Sequence, residues 1–258
     1  MIFDSIVSHK EKQLRELLPQ YNLEEQIQEA KKLPPGPNFT QSIQKSNFGI
    51  IGEIKKASPS KGIIKDNFNP VQLAKEYEGV VDAISILTEE KYFQGSPQYL
   101  KNVAQKTTIP LLQKDFVIHP YQIVEAKKNG ASAVLLIVSI LLEETLEKYL
   151  SLIKDLGLEA LVEVHTKEEL HKVLSFQNIW IGINNRDLKT FQVHLETTEK
   201  LMKYIPKERN VISESGIFTK EDVRRVKKAG VKGILVGESF MKSKNIKKLG
   251  EELRNGAD

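Results

Sequence analysis

The stretch Gly49-Ile-Ile-Gly-Glu-Ile-Lys-Lys-Ala-Ser-Pro-Ser-Lys-Gly62 is an apolar strand that ends in charged residues and then in a loop. Side chains two apart on a strand share a face, so Glu53 and Lys55 project toward the same space. Residues 58–62 contain proline and glycine and cannot continue the strand. Charged groups at the end of an apolar strand are costly unless they are paired or used. The stretch therefore marks a first strand and a first place to look for chemistry.

Seven further apolar runs follow along the chain, and most are continuous rather than alternating. Such runs, rich in Ile, Val and Leu, are typical of strands that are buried on both faces. With the first run at 48–54, they occupy residues 81–87, 109–112, 133–138, 160–164, 179–183, 211–212 and 233–236.

Amphipathic stretches alternate with these runs and predict helices, since their apolar residues recur at three- and four-residue spacing. Eight strands, each followed by a helix, predict an α/β fold of the (β/α)8 TIM barrel type. A doubly wound open sheet is the alternative, weakened by the lack of a Gly-x-Gly-x-x-Gly turn after the first strand. The predicted helices are 70–77, 98–105, 120–129, 143–156, 167–174, 195–204, 220–229 and 245–254.

The 258 residues fit one barrel domain, for which about 250 residues are typical. We assign residues 48–258 to the barrel and residues 1–47 to an N-terminal helical extension. Leucines predict one helix around residues 14–18 and another over 23–33, before Pro34-Pro-Gly-Pro37 breaks the chain. The extension is interpreted as packed on the barrel, and a position under its bottom or over its mouth stays open.

Composition excludes several classes of protein. The chain has no cysteine, which excludes disulfides, thiolate metal sites and cysteine nucleophiles. A net charge of +4 is too mild to indicate a nucleic-acid partner. The sequence shows no secretory signal. It also has no apolar run as long as the roughly 20 residues that a membrane span needs. We expect a cytoplasmic monomer without nucleic-acid or membrane partners.

Ionisable residues end several of the predicted strands, where TIM barrels carry their active sites. In three strands an apolar residue two positions earlier shares the face of the ionisable one. Lysines and carboxylates crowded in one cleft are expected to shift one another's pKa values toward neutrality, as acid–base catalysis near neutral pH requires. The alternative is a structural ion-pair network at the barrel top. The three pairs are Leu112 with Lys114, Leu161 with Glu163, and Ile212 with Glu214.

A phosphate site is indicated by Ser215-Gly216 after the seventh strand and Gly237-Glu238 after the eighth. Glycine lets backbone N–H groups approach an anion, and these loops are the usual phosphate site of the fold. Histidines lack metal-ligand spacing, and His165, near the site, is interpreted as a polar loop residue. No nucleotide-binding loop is present. We expect no metal and no cofactor, and the residues alone predict a lyase or isomerase acting on a phosphorylated metabolite.

Several motifs together resemble one known family, indole-3-glycerol-phosphate synthase of tryptophan biosynthesis. The resemblance runs from the N-terminal helices through the eighth helix. The motifs are Glu53-Ile-Lys-Lys-Ala-Ser-Pro-Ser, Leu87-Thr-Glu-Glu-Lys-Tyr-Phe-Gln-Gly-Ser96, Leu112-Gln-Lys-Asp-Phe116, Leu161-Val-Glu-Val-His165, Ile181-Gly-Ile-Asn-Asn-Arg-Asp-Leu188 and Ser213-Glu-Ser-Gly-Ile217.

The resemblance implies a carboxy-lyase that converts 1-(2-carboxyphenylamino)-1-deoxyribulose 5-phosphate to indole-3-glycerol phosphate. Ring closure is followed by loss of carbon dioxide and water. By resemblance Lys114 would be the general acid and Glu163 the general base of the dehydration. Lys55 would contact substrate and phosphate, and it is a second candidate for the acid. Glu53 would orient the lysines.

The remaining positions match binding residues of the family. Asn184 and Glu214 would hold substrate hydroxyls and the charge network. Arg186 would meet the anthranilate carboxylate, for which a guanidinium fork is suited. Ser58 and Phe116 would line the substrate pocket.

The four loop residues Ser215, Gly216, Gly237 and Glu238 would offer backbone N–H groups to the phosphate. Glu238 departs from the family pattern, since a small residue such as serine is expected there. If its carboxylate turns to solvent, nothing is lost; if it faces the phosphate, binding suffers.

Two rival functions stay open from the sequence. A phosphoribosylanthranilate isomerase-like barrel enzyme would be expected to use a cysteine and an aspartate, and this chain has no cysteine. A non-catalytic barrel that binds a phosphorylated metabolite needs the phosphate loops but not a matched acid and base.

Overall fold

Eight parallel strands close into a barrel in the computed structural model, which describes residues 2–188 and 190–257. Each strand pairs with its sequence neighbours, and the first closes the ring by pairing with both the second and the eighth. The predicted TIM barrel is thus confirmed. The strands are β1 (Gly49–Ile54), β2 (Ala83–Leu87), β3 (Leu111–Lys114), β4 (Ala133–Ile137), β5 (Glu159–Val164), β6 (Trp180–Asn184), β7 (Asn210–Glu214) and β8 (Gly233–Val236).

A helix follows every barrel strand, close to where the amphipathic patterns predict it. Side-chain caps explain many of the starts: Asn69 accepts the backbone N–H of Gln72, Ser96 accepts that of Gln98, and a proline follows each cap. The helices are α1 (Ile2–Leu17), α2 (Leu23–Lys31), α3 (Phe39–Lys45), α4 (Pro70–Tyr77), α5 (Pro97–Ala104), α6 (Pro120–Lys128), α7 (Glu143–Asp155), α8 (Lys167–Val173), α9 (Glu196–Leu201), α10 (Lys220–Ala229), α11 (Glu238–Lys242) and α12 (Ile246–Asn255).

Two apolar layers fill the fold, one inside the barrel and one between strands and helices. Ile51, Leu112 and Leu161 belong to the inner layer, whereas Ile50 and Ile54 face the helices. Both faces of the strands are buried, which explains their continuous apolar sequences. No helix among the described residues has the length and apolar character to cross a membrane.

The N-terminal extension covers both ends of the barrel. Helix α3, which the sequence patterns did not predict, lies under the bottom: the backbone N–H groups of Phe39 and Thr40 donate to the Glu159 carboxylate at 2.7 and 3.1 Å. Trp180, inside the barrel, donates its indole N–H to the Thr40 hydroxyl. Helix α1 lies instead at the opposite end, over the mouth.

Asp82 ties together three elements at the bottom of the barrel. Its carboxylate accepts the backbone N–H of Ile50 at 2.7 Å and the hydroxyl of Ser46 at 2.6 Å, and it pairs with Arg254 at 3.2 Å. The side chain is 11% exposed, so these bonds form away from bulk water. Because α3, β1 and α12 meet here, Asp82 is expected to stabilise the fold rather than to serve the site.

We predict that Asp82→Ala lowers the free energy of unfolding by about 1–3 kcal/mol, because the buried N–H of Ile50 loses its acceptor. Urea unfolding followed by circular dichroism measures the change. The control is Asp155→Ala, which breaks a surface pair with Lys31 and is expected to cost less than about 0.5 kcal/mol. Equal losses in both variants would contradict the assignment.

Candidate active site

One pocket at the carboxyl ends of the strands brings together all the predicted site residues. Their side chains come from six strand ends and the loops that follow them, as expected for this fold. The pocket is lined by Glu53, Lys55, Ser58, Lys114, Phe116, Glu163, Asn184, Arg186, Glu214, Ser215, Gly216, Gly237 and Glu238.

Lys114 occupies the centre of the polar floor. Its ammonium is 2.9 Å from Oε2 of Glu163 and 3.2 Å from Oε2 of Glu214. The two carboxylates are 3% and 2% exposed, so the ion pairs lie almost out of water. Parity predicts that each of these three side chains shares a face with the apolar residue two positions earlier. In the structure that face is the inner one, so all three groups lie inside the barrel.

Burial and ion pairing have opposite effects on the pKa values of Lys114 and Glu163. Burial opposes the charge of Lys114, but the carboxylates of Glu163, Glu214 and Glu53 outweigh it and raise the pKa of the ammonium. Burial likewise opposes the charge of Glu163, but Lys114 and His165 hold its pKa well below the usual range. At neutral pH the lysine is therefore protonated and Glu163 is ionised, the states that an acid and a base need. Both pKa values move away from neutrality, opposite to the sequence expectation, because each group is paired with an opposite charge.

The pKa of Glu214 shifts in the opposite direction to that of Glu163. Burial raises the pKa of Glu214 to about 7, with Lys114 opposing the rise and Glu163 adding to it. One oxygen, Oε1, is buried without a hydrogen-bond partner. This carboxyl group is thus the member of the cluster that titrates near neutral pH, and it has an oxygen free to bind a further donor.

Glu53 and Lys55 form a close ion pair beside this cluster, with side chains 5% and 18% exposed. Two glycines make room for the buried carboxylates of Glu53 and Glu214. A Cβ on Gly237 would collide with Glu53, and one on Gly182 would collide with Glu214. Sequence reasoning missed Gly182, although a glycine inside a strand is a signal of close approach.

The loop after β7 contains two adjacent residues at positive φ. Ser215 and Gly216 are consecutive residues with φ of 67° and 83°. A non-glycine residue at positive φ is strained, and such residues cluster at functional sites. Glu238 turns its carboxylate to Lys242, 2.6 Å away on α11, and Lys242 lowers the Glu238 pKa against the effect of burial. Its side chain is thus held by a partner on its own helix.

Polar and aromatic residues complete the walls. Asn184 accepts the backbone N–H of Arg186 at 3.0 Å, and the Arg186 guanidinium donates to the backbone carbonyl of Phe191 at 3.1 Å. Ser58 lies in a short antiparallel hairpin of Ala57–Ser58 with Gly62–Ile63, within the segment interpreted as a loop.

Helix α1 supplies walls that the sequence did not reveal. Ile2, Phe3 and Ile6 line the pocket, and the Phe3 ring packs edge-on against Phe116 with centroids 5.3 Å apart. An amphipathic helix shows which face is buried but not where it docks, so no sequence signal places these residues at the mouth.

A buried ion pair fixes α1 in this position. Lys10 reaches Asp115 at 3.0 Å, with side chains 9% and 6% exposed. Asp115 also accepts the Thr88 hydroxyl at 2.7 Å and directly follows Lys114 in the chain. The helix is thus bonded to the strand end that carries the central lysine.

His165 lies in the loop between β5 and α8, as the sequence suggested, but its side chain is largely buried. Its ring lies between the carboxylates of Glu163 and Glu169 and is 10% exposed. Within residues 2–188 and 190–257, no group of three or more His, Cys, Asp or Glu side chains has the arrangement of a metal site.

The fold matches solved barrels whose sequences have diverged widely. A thiamine phosphate pyrophosphorylase from Pyrococcus furiosus aligns with a TM-score of 0.60 at 19% identity, covering 83% of this chain and 96% of that one. A tryptophan synthase alpha subunit from the same organism aligns with a TM-score of 0.60 at 13% identity, covering 80% and 98%. These likenesses concern the fold alone.

Sequence relatives are much closer. A family model described as indole-3-glycerol phosphate synthase matches residues 3–253. A protein of that name from Thermoanaerobacter pseudethanolicus is 50% identical over 243 residues, covering 94% of this chain and 93% of the relative. Another of that name from Caldanaerobacter subterraneus subsp. tengcongensis is 49% identical over 262 residues, covering 99% and 100%. With the family match extending over the barrel and its N-terminal helices, the chain belongs to the indole-3-glycerol phosphate synthase family.

Proposed function

We propose that this chain converts 1-(2-carboxyphenylamino)-1-deoxyribulose 5-phosphate to indole-3-glycerol phosphate, releasing carbon dioxide and water. The observation that carries the proposal is the contact of Lys114 with Glu163 in a buried cleft. The surrounding charges keep the first protonated and the second ionised. A matched acid and base serve a reaction that must both protonate a ketone oxygen and remove a proton.

In the first step the aromatic carbon that bears the carboxylate attacks the ketone carbon of the substrate. Lys114 donates a proton to the ketone oxygen, which becomes a hydroxyl. Loss of carbon dioxide restores the aromatic ring. Glu163 then accepts a proton from the carbon between the nitrogen and the new hydroxyl-bearing carbon, while Lys55 donates the proton with which the hydroxyl leaves as water. Lys55 is the second candidate donor, since its ammonium lies in the same pocket.

Charged neighbours orient these groups and the two ends of the substrate. Glu53 pairs with Lys55, and Glu214 pairs with Lys114, so each lysine has a carboxylate partner. Arg186 would take the anthranilate carboxylate, because its guanidinium offers two parallel donors.

The remaining pocket residues bind the rest of the substrate. Asn184 and the free oxygen of Glu214 suit the sugar hydroxyls. Ser58 and Phe116 line the walls, and the backbone N–H groups of the loops after β7 and β8 would bind the phosphate. The phosphate contacts are assigned to Ser215, Gly216, Gly237 and Glu238.

Other properties are proposed on the sequence alone. We infer that residues 1–258 act as one barrel domain with residues 1–47 as its extension, as a cytoplasmic monomer. No metal, organic cofactor, nucleic acid or membrane is needed for the acid–base chemistry described.

Turnover of the carboxyphenylamino-deoxyribulose phosphate tests the function directly. We expect formation of the indole ring at pH values between about 5 and 9, which absorbance or fluorescence can monitor. No product anywhere in that range would exclude the proposed enzyme. Binding of the substrate without turnover would favour the non-catalytic barrel.

Lys114→Ala tests the assignment of the acid. We expect kcat to fall by about 10²–10⁴-fold, the usual contribution of a positioned acid, while the Kd of indole-3-glycerol phosphate changes much less. Lys101→Ala, on the exposed face of α5, is the control and should leave both values unchanged. An equal loss of binding and kcat in the Lys114 variant would show a binding role instead.

A further inference from the structure

His165 bridges two carboxylates at the mouth of the barrel. Its Nε2 is 3.3 Å from Oε1 of Glu163, and its Nδ1 is 3.4 Å from Oε2 of Glu169. These are the charged groups that face the ring, Glu163 from the strand just before it and Glu169 from α8, which packs beside it. The ring therefore connects the interior of the site to the first turn of a helix.

The outer carboxylate is itself held in place. Oε2 of Glu169 accepts the backbone N–H of His165 at 2.7 Å. The backbone N–H of Glu169 in turn donates to the Thr166 hydroxyl, the cap of α8, at 3.2 Å. Because the start of α8 fixes Glu169, the histidine has a rigid support on the side away from the reaction.

The inner carboxylate has one cation at each oxygen. Lys114 contacts Oε2 of Glu163, and His165 lies near Oε1. The carboxylate cannot rotate without losing one of them. Neither ring nitrogen of His165 makes a well-aligned hydrogen bond. Contact with the two carboxylates and their negative charge together favour the protonated ring, so the attraction depends on that proton.

The ring is a cation at neutral pH. Burial favours the neutral imidazole, but the adjacent carboxylates of Glu163 and Glu169 outweigh it and raise the pKa of His165 to about 9. The ring is thus charged below that pH and loses its charge as the pH rises through it.

We propose that His165, supported by Glu169, is a positioning residue that holds the Glu163 carboxylate from the side opposite Lys114. The proposal rests on the proposed function, in which Glu163 is the base. It also divides the work between two cations: Lys114 moves a proton, whereas His165 keeps its own and fixes the direction of the base. Turnover should then fall at alkaline pH as the ring loses its proton.

The first test needs no turnover. NMR titration of the ring nitrogens in the intact protein should give a pKa near 9 for His165, with the signal assigned by its loss in His165→Gln. Glu169→Gln should move that pKa toward the usual value of about 6.5. Glu168→Gln, on the same turn of α8 but exposed, should leave it unchanged.

The second test is kinetic. His165→Gln keeps a polar side chain without charge, and we expect kcat near pH 7.5 to fall about tenfold, less than loss of the base itself, with KM within about twofold. The two proteins should converge near pH 10, where the wild-type ring is also neutral. His171→Gln, an exposed histidine of α8, should keep the wild-type profile.

Each result separates this inference from the proposed function. A His165 that titrates near its usual value, or a kcat ratio that stays constant between pH 7 and 10, overturns the positioning role even when the wild type turns over normally. No turnover by the wild type excludes the proposed function, and the titration still decides whether the ring pairs with both carboxylates. If His165→Gln does not fold, Glu169→Gln gives the same comparison with the ring intact.

Discussion

A buried ammonium among three carboxylates organises the upper half of this barrel. Lys114 contacts Glu163 and Glu214 in an interior where their side chains are at most 14% exposed, and Glu53 adds a third negative charge nearby. Burying such charges is costly, and removing either partner leaves the other uncompensated. The arrangement therefore persists only because every charge has an opposite neighbour. The same pairing keeps Lys114 protonated and Glu163 ionised against the effect of burial, so the contacts that stabilise the buried charges also set their protonation states.

The cluster constrains residues that carry no charge. Gly182 and Gly237 lie against the buried carboxylates Glu214 and Glu53, where any side chain would collide with them. Asp115, next to Lys114, binds Lys10 and so brings α1 over the mouth. The buried charges thus require glycine at two neighbouring positions, and the residue after Lys114 holds a helix of the N-terminal extension over the mouth.

Much of this could be predicted from the sequence, because periodicity and parity are local properties. The strand and helix runs follow from the apolar patterns, and the face that Lys114, Glu163 and Glu214 share with their apolar neighbours follows from strand parity. The docking of α1 does not, because an amphipathic face can be satisfied at either end of a barrel. Helix α3 is seven residues long and follows a proline-rich break, so its pattern is too short to predict. The burial of His165 depends on Glu169. The loop after β5 and the first turn of α8 bring that residue close to the ring, and no local pattern predicts this.

Two carboxylates at the bottom of the barrel and two ionisable residues at its top satisfy their polar atoms differently. At the bottom, Asp82 and Glu159 use their oxygens on N–H groups, hydroxyls and a guanidinium of the chain. At the top, Oε1 of Glu214 and the ring nitrogens of His165 are buried without an aligned partner. Buried polar atoms without partners are rare and costly. Under the proposed function a substrate hydroxyl would fill the place beside Glu214, so binding would complete a network that the folded chain alone leaves open.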